Sequence, residues 1–293
     1  MRQLAPVLVA LFAIIAAGCG GSSNNGGGSG SSTSASSCAK ADLQLIHAGK
    51  LTVGTDNPAY PPWYGGNPHS PWKVSDPRSG KGYESAVAFA IANRLGFSKA
   101  EVNWVVVPFN IAFAPGKKKF DFDINQISFN PARAKAVDFS SSYYDVNQAV
   151  VAKKGTKIAS AKTIAALKPY KFGAQLGTTS YDTIKNVIKP NQQPAVFDTN
   201  DAAVTALKNG QIDGLVVDLP TAFYVSSAQV PGSVVVGQFA AGPGGEHFGV
   251  VLVKGNALTR CVDQALAKLR SDGTLNQLHQ QWLANDAGAP VFK

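Results

Sequence analysis

The sequence predicts an α/β protein built from two lobes. Strand patterns and helix patterns alternate from residue 51 to residue 283, which is typical of sheets covered by helices. A single hydrophobic core stops growing near ~250 to 300 residues. The chain has 293 residues, so two cores are favoured over one. With 45% hydrophobic and 15% charged residues, it is apolar enough to fill both and too mixed for a polytopic membrane protein.

Helix patterns are recognised by apolar residues three or four apart and by the residues that stop them. The clearest one begins at Tyr83, carries Val87, Ile91 and Leu95 on one face, and ends at Gly96. Pro131 suits the first turn of another helix. We predict further helices over residues 41–48, 180–188, 202–209, 220–226, 258–270 and from 275 onward.

Strand patterns are short apolar runs or alternations bounded by turn residues. Phe120, Phe122 and Ile124 alternate with Asp121 and Asp123, as expected of a strand with one buried face. We predict strands over residues 51–55, 102–107, 120–127, 148–152, 171–175, 214–217 and 249–253. Because helices separate many of these strands, we expect mostly parallel sheets.

The first 18 residues have the features of a secretion signal. A positive start is followed by an apolar run over 4–17, too short to span a bilayer comfortably, and small residues precede Cys19. This order resembles the bacterial lipoprotein box, in which the cysteine becomes the lipidated first residue. The alternative is an ordinary signal peptide followed by a chance cysteine. We expect a signal peptide over 1–18 and, over 19–37, a lipidated cysteine with a flexible Gly/Ser tether at the cell membrane.

Two cysteines are left once Cys19 is assigned to the lipid. Cys38 and Cys261 belong to a chain that is sent to an oxidising compartment, and an even pair there suggests a disulfide. The bond requires the start and the end of the fold to meet. The alternative is two unrelated buried thiols.

Charge and metal-ligand patterns argue against several classes of function. The net charge of +9 comes mostly from scattered lysines rather than from the arginine clusters that favour nucleic-acid binding. The four histidines are dispersed without the spacing of a metal site. The glutamates are Glu84, Glu101 and Glu246, which gives few candidates for paired-glutamate catalysis. We expect no metal, no cofactor, no nucleic-acid partner and a monomer.

Several short phrases occur in an order that is typical of one family. They are Leu51-Thr-Val-Gly-Thr-Asp56, Gly82-Tyr-Glu84, Arg94-Leu-Gly96, Phe120-Asp-Phe-Asp123, Ser128-Phe-Asn-Pro-Ala-Arg133, Val137-Asp-Phe-Ser140, Gln175-Leu-Gly-Thr-Thr179 and Asp272-Gly-Thr-Leu275. The chain therefore resembles the bacterial extracellular solute-binding proteins of family 3, the amino-acid-binding components of ABC importers. The resemblance implies a periplasmic-binding-protein-like type II fold. Its lobes would comprise residues 38–148 with 247–293, and residues 149–246, joined by crossings near 147–149 and 246–249. The ligand would lie in the cleft, with the lobes closing over it.

An α-amino acid presents a carboxylate and an ammonium, so its site needs a bidentate cation, polar donors and a carboxylate. Arg133 follows a predicted strand and matches the family's carboxylate-binding arginine. The alternative is a surface arginine on a helix. Gln126 and Ser128 occupy the family's donor and acceptor positions just before it.

Three residues from the second half of the chain complete the expected cage. Thr178 and Thr179 lie between a strand and a helix, where hydroxyls and free N–H groups face an anion. Asp218 ends a buried strand and matches the family's ammonium-binding aspartate. Thr178, Thr179 and Asp218 also suit helix caps, and for Asp218 the two roles can coexist.

The first lobe is expected to line the ligand's side chain with Asp56, Tyr60, Trp63 and Phe109, which match the family's contact positions. The segment over residues 65–82 is longer than the family's usual link at this place. We expect it to hang over the mouth of the cleft, and we expect Glu84 after it to be structural.

Together these residues predict a lipid-anchored importer subunit, not an enzyme, that captures an amino acid and delivers it to a membrane permease. Its first alternative is a periplasmic enzyme on the same fold, similar to the cyclohexadienyl or arogenate dehydratases. Asp56 or His69 would then supply the acid. A second alternative is a sensor that reports its ligand to a receptor by contact.

Overall fold

The computed structural model describes residues 37–241, 244–283 and 288–293. The chain divides into two units, residues 1–35 and residues 36–293. The predicted signal peptide, the lipidated Cys19 and all but the last residue of the tether lie outside the described residues. They stay predictions.

The first sheet has five strands: β1 Leu51–Thr55, β2 Val102–Val106, β3 Phe122–Asp123, β4 Val137–Val146 and β10 Glu246–Val253. Their order across the sheet is β2-β1-β3-β10-β4. β1 pairs parallel with β2 and β3, whereas β10 pairs antiparallel with β3 and β4.

The second sheet also has five strands: β5 Gln148–Lys153, β6 Phe172–Gln175, β7 Ala195–Phe197, β8 Gly214–Asp218 and β9 Ser233–Gln238. Their order is β7-β6-β8-β5-β9, with β6 parallel to β7 and β8, and β5 antiparallel to β8 and β9. The expectation of mostly parallel sheets is wrong, because each sheet is completed by strands that enter directly from the other sheet rather than through a helix.

Eight α-helices are described: α1 Tyr83–Arg94, α2 Phe109–Ala112, α3 Ile164–Leu167, α4 Thr179–Thr183, α5 Asn200–Lys208, α6 Leu219–Tyr224, α7 Leu258–Ser271 and α8 Thr274–Leu283. We call the first sheet with α1, α2, α7 and α8 the first lobe, and the second sheet with α3 to α6 the second lobe. α4 and α6 each continue into a π-helical turn.

Two of the predicted elements are much shorter in the structure. The helix predicted over 41–48 is a single 3₁₀ turn, Lys40–Asp42, and the strand predicted over 120–127 is reduced to β3. Asp121 accounts for the first result, because its carboxylate accepts hydrogen bonds from the backbone N–H groups of Ile46, within the predicted helix (2.8 Å), and of Thr52 (2.6 Å). A side chain that takes backbone donors competes with regular secondary structure.

The chain passes between the sheets at two places. β4 ends at Val146 and β5 begins at Gln148, while β9 ends at Gln238 and β10 begins at Glu246. The C-terminal residues were expected in the first lobe, and for residues 288–293 this is wrong. Val291 bridges to Gln238, and Phe292 is buried in a core of the second lobe.

The predicted disulfide is confirmed. Cys38 and Cys261 are bonded, and their Cα atoms lie 5.4 Å apart. Cys261 belongs to α7 and is buried in the core of the first lobe. The bond therefore ties the start of the folded body to a helix that is distant in sequence.

The segment over residues 65–82 packs on the first lobe and contributes no residue to the wall of the cavity described below. Trp72 is buried in the first-lobe core, and Ser75 donates to the carbonyl oxygen of Tyr64. Asp76 pairs with Arg78 at 2.8 Å. Pro71 and Lys73 of the segment are hydrogen-bonded to the side chain of Asn57, a residue of the cavity wall, at 2.8 and 3.2 Å. The expectation that the segment lies over the mouth of the cleft stays a prediction.

Among the helices that the structure describes, none combines the length and the apolar character needed to cross a membrane.

Candidate functional site

A cavity of about 170 Å³ is lined by residues of both lobes. All ten residues predicted from the sequence lie on its wall: Asp56, Tyr60, Trp63, Phe109, Gln126, Ser128, Arg133, Thr178, Thr179 and Asp218. The wall also includes residues that sequence reasoning did not select, among them Asn125, Gln148, Asp201, Thr221 and Tyr224. A water molecule needs roughly 10 to 15 Å³ measured in this way, so the cavity has room for a small polar solute.

The cavity forms where several strands end. Asp56 follows β1, Asp218 is the last residue of β8, and Thr178 lies in the turn between β6 and α4. β1 belongs to the first sheet, and β6 and β8 are parallel neighbours in the second. Ligands of α/β proteins bind beyond the carboxyl ends of such strands, where loops bring polar groups together.

Arg133 is held at the junction of the lobes by stacking and by two hydrogen bonds. Its guanidinium lies 4.3 Å from the centroid of the Phe113 ring, and it donates to the carbonyl oxygens of Ser128 (2.7 Å) and Gly177 (2.6 Å). Burial lowers the pKa of Arg133 to about 10, so it is still a cation at neutral pH. A guanidinium has five N–H groups, and these two bonds leave donors for a further acceptor.

Glu246 is the main feature of the site that was not predicted. Its Oε1 atom accepts from the hydroxyls of Ser128 (2.5 Å) and Thr179 (2.6 Å) and from the amide of Gln148 (3.0 Å). The hydroxyl of Thr179 was expected to face an anion of the ligand, whereas here it donates to a carboxylate of the protein. The position of Glu246 at the predicted crossing between the lobes was the feature of the sequence that could have indicated its role.

Thr178 and Asp218 both cap helices, which is the alternative that the sequence left open. The side chain of Thr178 accepts from the N–H of Tyr181 at 3.2 Å, and Asp218 accepts from the N–H of Thr221 at 3.0 Å. Burial raises the pKa of Asp218 to about 6, against the lowering effect of its bonds to Thr221. Asp218 is thus both a cap and an acid on the cavity wall.

Two aromatic residues of the first lobe reach across to the second. The Tyr60 hydroxyl donates to Asp201 at 2.5 Å, and the indole N–H of Trp63 donates to the hydroxyl of Thr221 at 3.0 Å. The ring of Trp63 itself is buried in the first-lobe core. These bonds, with those of Arg133 and Glu246, join the two lobes around the cavity.

Asp56 and Phe109 are neighbours on the first-lobe side. The carboxylate of Asp56 accepts from the N–H groups of Asn57 (2.7 Å) and Phe109 (3.4 Å). Burial raises the pKa of Asp56, and the negative charge of Asp201 acts in the same direction.

Gln126 has a left-handed backbone, with φ at 46°, which is uncommon for a residue with a side chain. Glu84 stabilises this conformation, because its carboxylate accepts from the N–H of Gln126 at 2.6 Å and also from the side-chain amide. Glu84 is fully buried, accepts from the Tyr143 hydroxyl, and has a pKa that burial raises to about 7. As expected, its contacts are structural.

Asn125 precedes Gln126 and also lines the cavity. Its side chain is buried at 7% exposure, and among the described residues its amide nitrogen has no hydrogen-bond partner. Buried donors are normally paired, so this amide is a candidate donor to a bound ligand.

The described residues contain no group of three histidine, cysteine, aspartate or glutamate side chains that could hold a metal ion.

Fold and site together define a two-lobed binding protein, and the family follows from comparison with known proteins. Residues 51–285 match the family model of the bacterial extracellular solute-binding proteins, family 3. This is most of the chain, and the protein belongs to that family. Its two mixed α/β lobes are those of the type II periplasmic-binding-protein fold.

Among curated relatives, the glutamine-binding protein GlnH of Bacillus subtilis is 29% identical over 167 residues, which are 57% of this chain and 59% of the relative. The arginine-binding protein 1 of Escherichia coli is 31% identical over 56% of this chain and 67% of the relative. The match therefore covers less than two thirds of the first relative's length. Both relatives are named as ABC transporter binding proteins.

Solved structures cover more of the fold. An ancestral arginine-binding protein bound to arginine is 32% identical, with a TM-score of 0.66 over 80% of this chain and 98% of that protein. The ancestral amino-acid-binding protein AncCDT-1, a precursor of cyclohexadienyl dehydratase, is 29% identical, with a TM-score of 0.63 over 80% and 95%.

Proposed function

We propose that the protein is the solute-binding subunit of an ABC importer and captures an α-amino acid between its lobes. The observation that carries the proposal is one cavity whose wall takes the cation Arg133 from the first lobe and the acid Asp218 from the second. A zwitterion is complementary to such a pair.

In this proposal Arg133 binds the ligand's carboxylate through its remaining N–H groups, and Asn125 adds a further donor. Asp218 accepts from the ammonium. Thr178 and Thr179 stand at the start of α4, where backbone N–H groups favour a negative group. Residues from both lobes contact one ligand, so binding favours the closed arrangement.

We further propose that the protein works outside the cytoplasm, held at the membrane by a lipid on Cys19, and passes its ligand to a permease. The family's description as extracellular supports this location, and so does the bond between Cys38 and Cys261, because disulfides persist in oxidising compartments. Mass spectrometry of the membrane fraction tests the anchor. A diacylated Cys19 is expected, and a mature chain that starts elsewhere would contradict it.

We propose binding rather than catalysis. AncCDT-1 supports a link between this fold and a dehydratase. Dehydratase activity is therefore the alternative function that the experiment below must separate from binding. Burial raises the pKa of Asp218 to about 6, and this acid is already engaged as a helix cap. Its bonds to the helix start favour an ionised acceptor over a general acid.

The test is a ligand screen on protein that has been unfolded and refolded to remove any carried ligand. Melting temperatures are measured with the twenty amino acids, their amines and keto acids, and prephenate. A ligand that binds only the folded protein raises the melting temperature. We expect a rise with one or a few α-amino acids. A rise only with keto acids or amines, or turnover of prephenate, would overturn the proposal.

A further inference from the structure

The wall of the cavity contains more acid than base. Within the described ranges, its acidic residues are Asp56, Asp201 and Asp218, and Arg133 is its one basic residue. A zwitterionic ligand, as in the proposed function on which this inference rests, matches Arg133 and Asp218. Asp56 and Asp201 then have no charged partner in the zwitterion.

The two remaining carboxylates come from different lobes, and both lie on the wall of the cavity. Asp56 follows β1 in the first lobe, and Asp201 lies in the first turn of α5 in the second. Tyr60 follows Asp56 by four residues on the first-lobe side, and its hydroxyl donates to Asp201 at 2.5 Å. Asp201 also raises the pKa of Asp56 through its negative charge, which places the two groups within electrostatic reach.

Aromatic residues contact each of these acids, because Tyr60 donates to Asp201 and the backbone N–H of Phe109 donates to Asp56. The rings of Tyr60 and Tyr224 lie 6.0 Å apart at 44°, and both line the cavity together with Phe109. Ring faces attract cations, and carboxylates that lose water need a positive partner. Rings and acids together are therefore complementary to a cation rather than to an apolar or amide side chain.

The cavity also shows a separate sign that it receives a ligand. The buried amide nitrogen of Asn125 has no partner among the described residues. This amide is a hydrogen-bond donor, so it can bind an acceptor atom of the ligand.

From these contacts we infer that the ligand is an amino acid with a cationic side chain, whose ammonium or guanidinium lies between Asp56 and Asp201 beside the rings of Tyr60 and Tyr224. The sequence did not predict the role of Asp201, which binds the cationic end of the ligand's side chain from the second lobe. Lobe closure is then coupled to the charge of that side chain.

The experiment compares L-arginine with L-citrulline by titration calorimetry, because citrulline has nearly the same shape and no side-chain charge. L-lysine and L-glutamine serve as a second pair. We expect the cationic member of each pair to bind at least about 30-fold tighter, and Asp201→Asn to reduce that ratio by about tenfold or more. Asp56→Asn is the second variant and should act in the same direction.

Asp198→Asn is the matched control, because Asp198 is an exposed acid three residues before Asp201. It should keep the wild-type ratio, and melting curves should show all three variants folded. Citrulline binding as tightly as arginine, or a ratio unchanged in both Asp201→Asn and Asp56→Asn, would overturn the inference.

The outcomes separate this inference from the proposed function. Tight binding of a neutral amino acid with weak binding of arginine and lysine leaves the proposed function standing and removes the cation subsite. If no amino acid of either kind binds, the proposed function and the inference both fail.

Discussion

Glu246 holds donors from both lobes on one carboxylate oxygen, and we predict that Glu246→Gln loosens their junction. Ser128, Thr179 and Gln148 all donate to its Oε1 atom, at 2.5, 2.6 and 3.0 Å. Glutamine keeps the length of the side chain and one carbonyl oxygen, but it removes the negative charge.

The size of the effect follows from the number and kind of these bonds. A hydrogen bond to a charged group contributes about 1.5 to 3 kcal/mol, and a neutral one about 0.5 to 1.5 kcal/mol. In Glu246→Gln, three hydrogen bonds to a charged group become hydrogen bonds to a neutral one, and together they lose about 3 kcal/mol. Because Glu246 is only partly buried and water screens its charge, we expect the free energy of unfolding to fall by about 2 kcal/mol.

Urea unfolding followed by tryptophan fluorescence measures this free energy directly. Asp145→Asn is the control, because Asp145 is opposite His247 in the same ladder and its side chain is exposed, with Ser142 as its partner. The control should stay within about 0.5 kcal/mol of wild type. If Glu246→Gln is as stable as the control, the carboxylate does not tie the lobes together and the reasoning is refuted.

Three other perturbations test the site and the fold. Arg133→Ala should cost about 2 to 5 kcal/mol of amino-acid binding free energy in calorimetry, and wild-type affinity would remove Arg133 from the carboxylate site. Because Asp218 has a pKa of about 6 and must be ionised to bind an ammonium, affinity should fall about tenfold per pH unit below 6. Asp218→Asn should be weaker and flat with pH, and a slope that persists would contradict this. Burial raises the pKa of Glu84 from 4.5 to about 7. The folded protein therefore keeps a proton that the unfolded chain releases in this window, so its contribution to stability falls by roughly 3 kcal/mol as the pH rises from 4.5 to 7. Glu84→Gln should flatten that part of the urea-derived stability profile, and an unchanged slope would show that another group titrates.

The residues that line the cavity could be predicted well from the sequence, since all ten predicted residues lie on its wall. Asp56 and Asp218 follow buried runs, and Thr178 precedes a helix, so local pattern and family resemblance together locate them. The helix caps of Thr178 and Asp218 were also among the alternatives that the sequence offered, and both are present.

Some site residues that take part in contacts between the two lobes were not predicted from the sequence. Asp201 accepts a hydrogen bond from Tyr60 across the cleft. Glu246 accepts one from Ser128, although the two residues are 118 positions apart in sequence. Neither contact leaves a local pattern in the sequence, because both arise from tertiary packing. The burial of Trp72 in the first-lobe core was not predicted for a related reason, because it also depends on tertiary packing.

The central claim, a cage for an α-amino acid, is tested most directly by three titrations of the refolded protein. They use the amino acid that raises the melting temperature most, its decarboxylated amine and its deaminated acid. The account predicts that removing either charged group weakens binding by at least about 100-fold, since Arg133 or Asp218 then lacks its partner. Equal affinity for the amino acid and either analogue would contradict it.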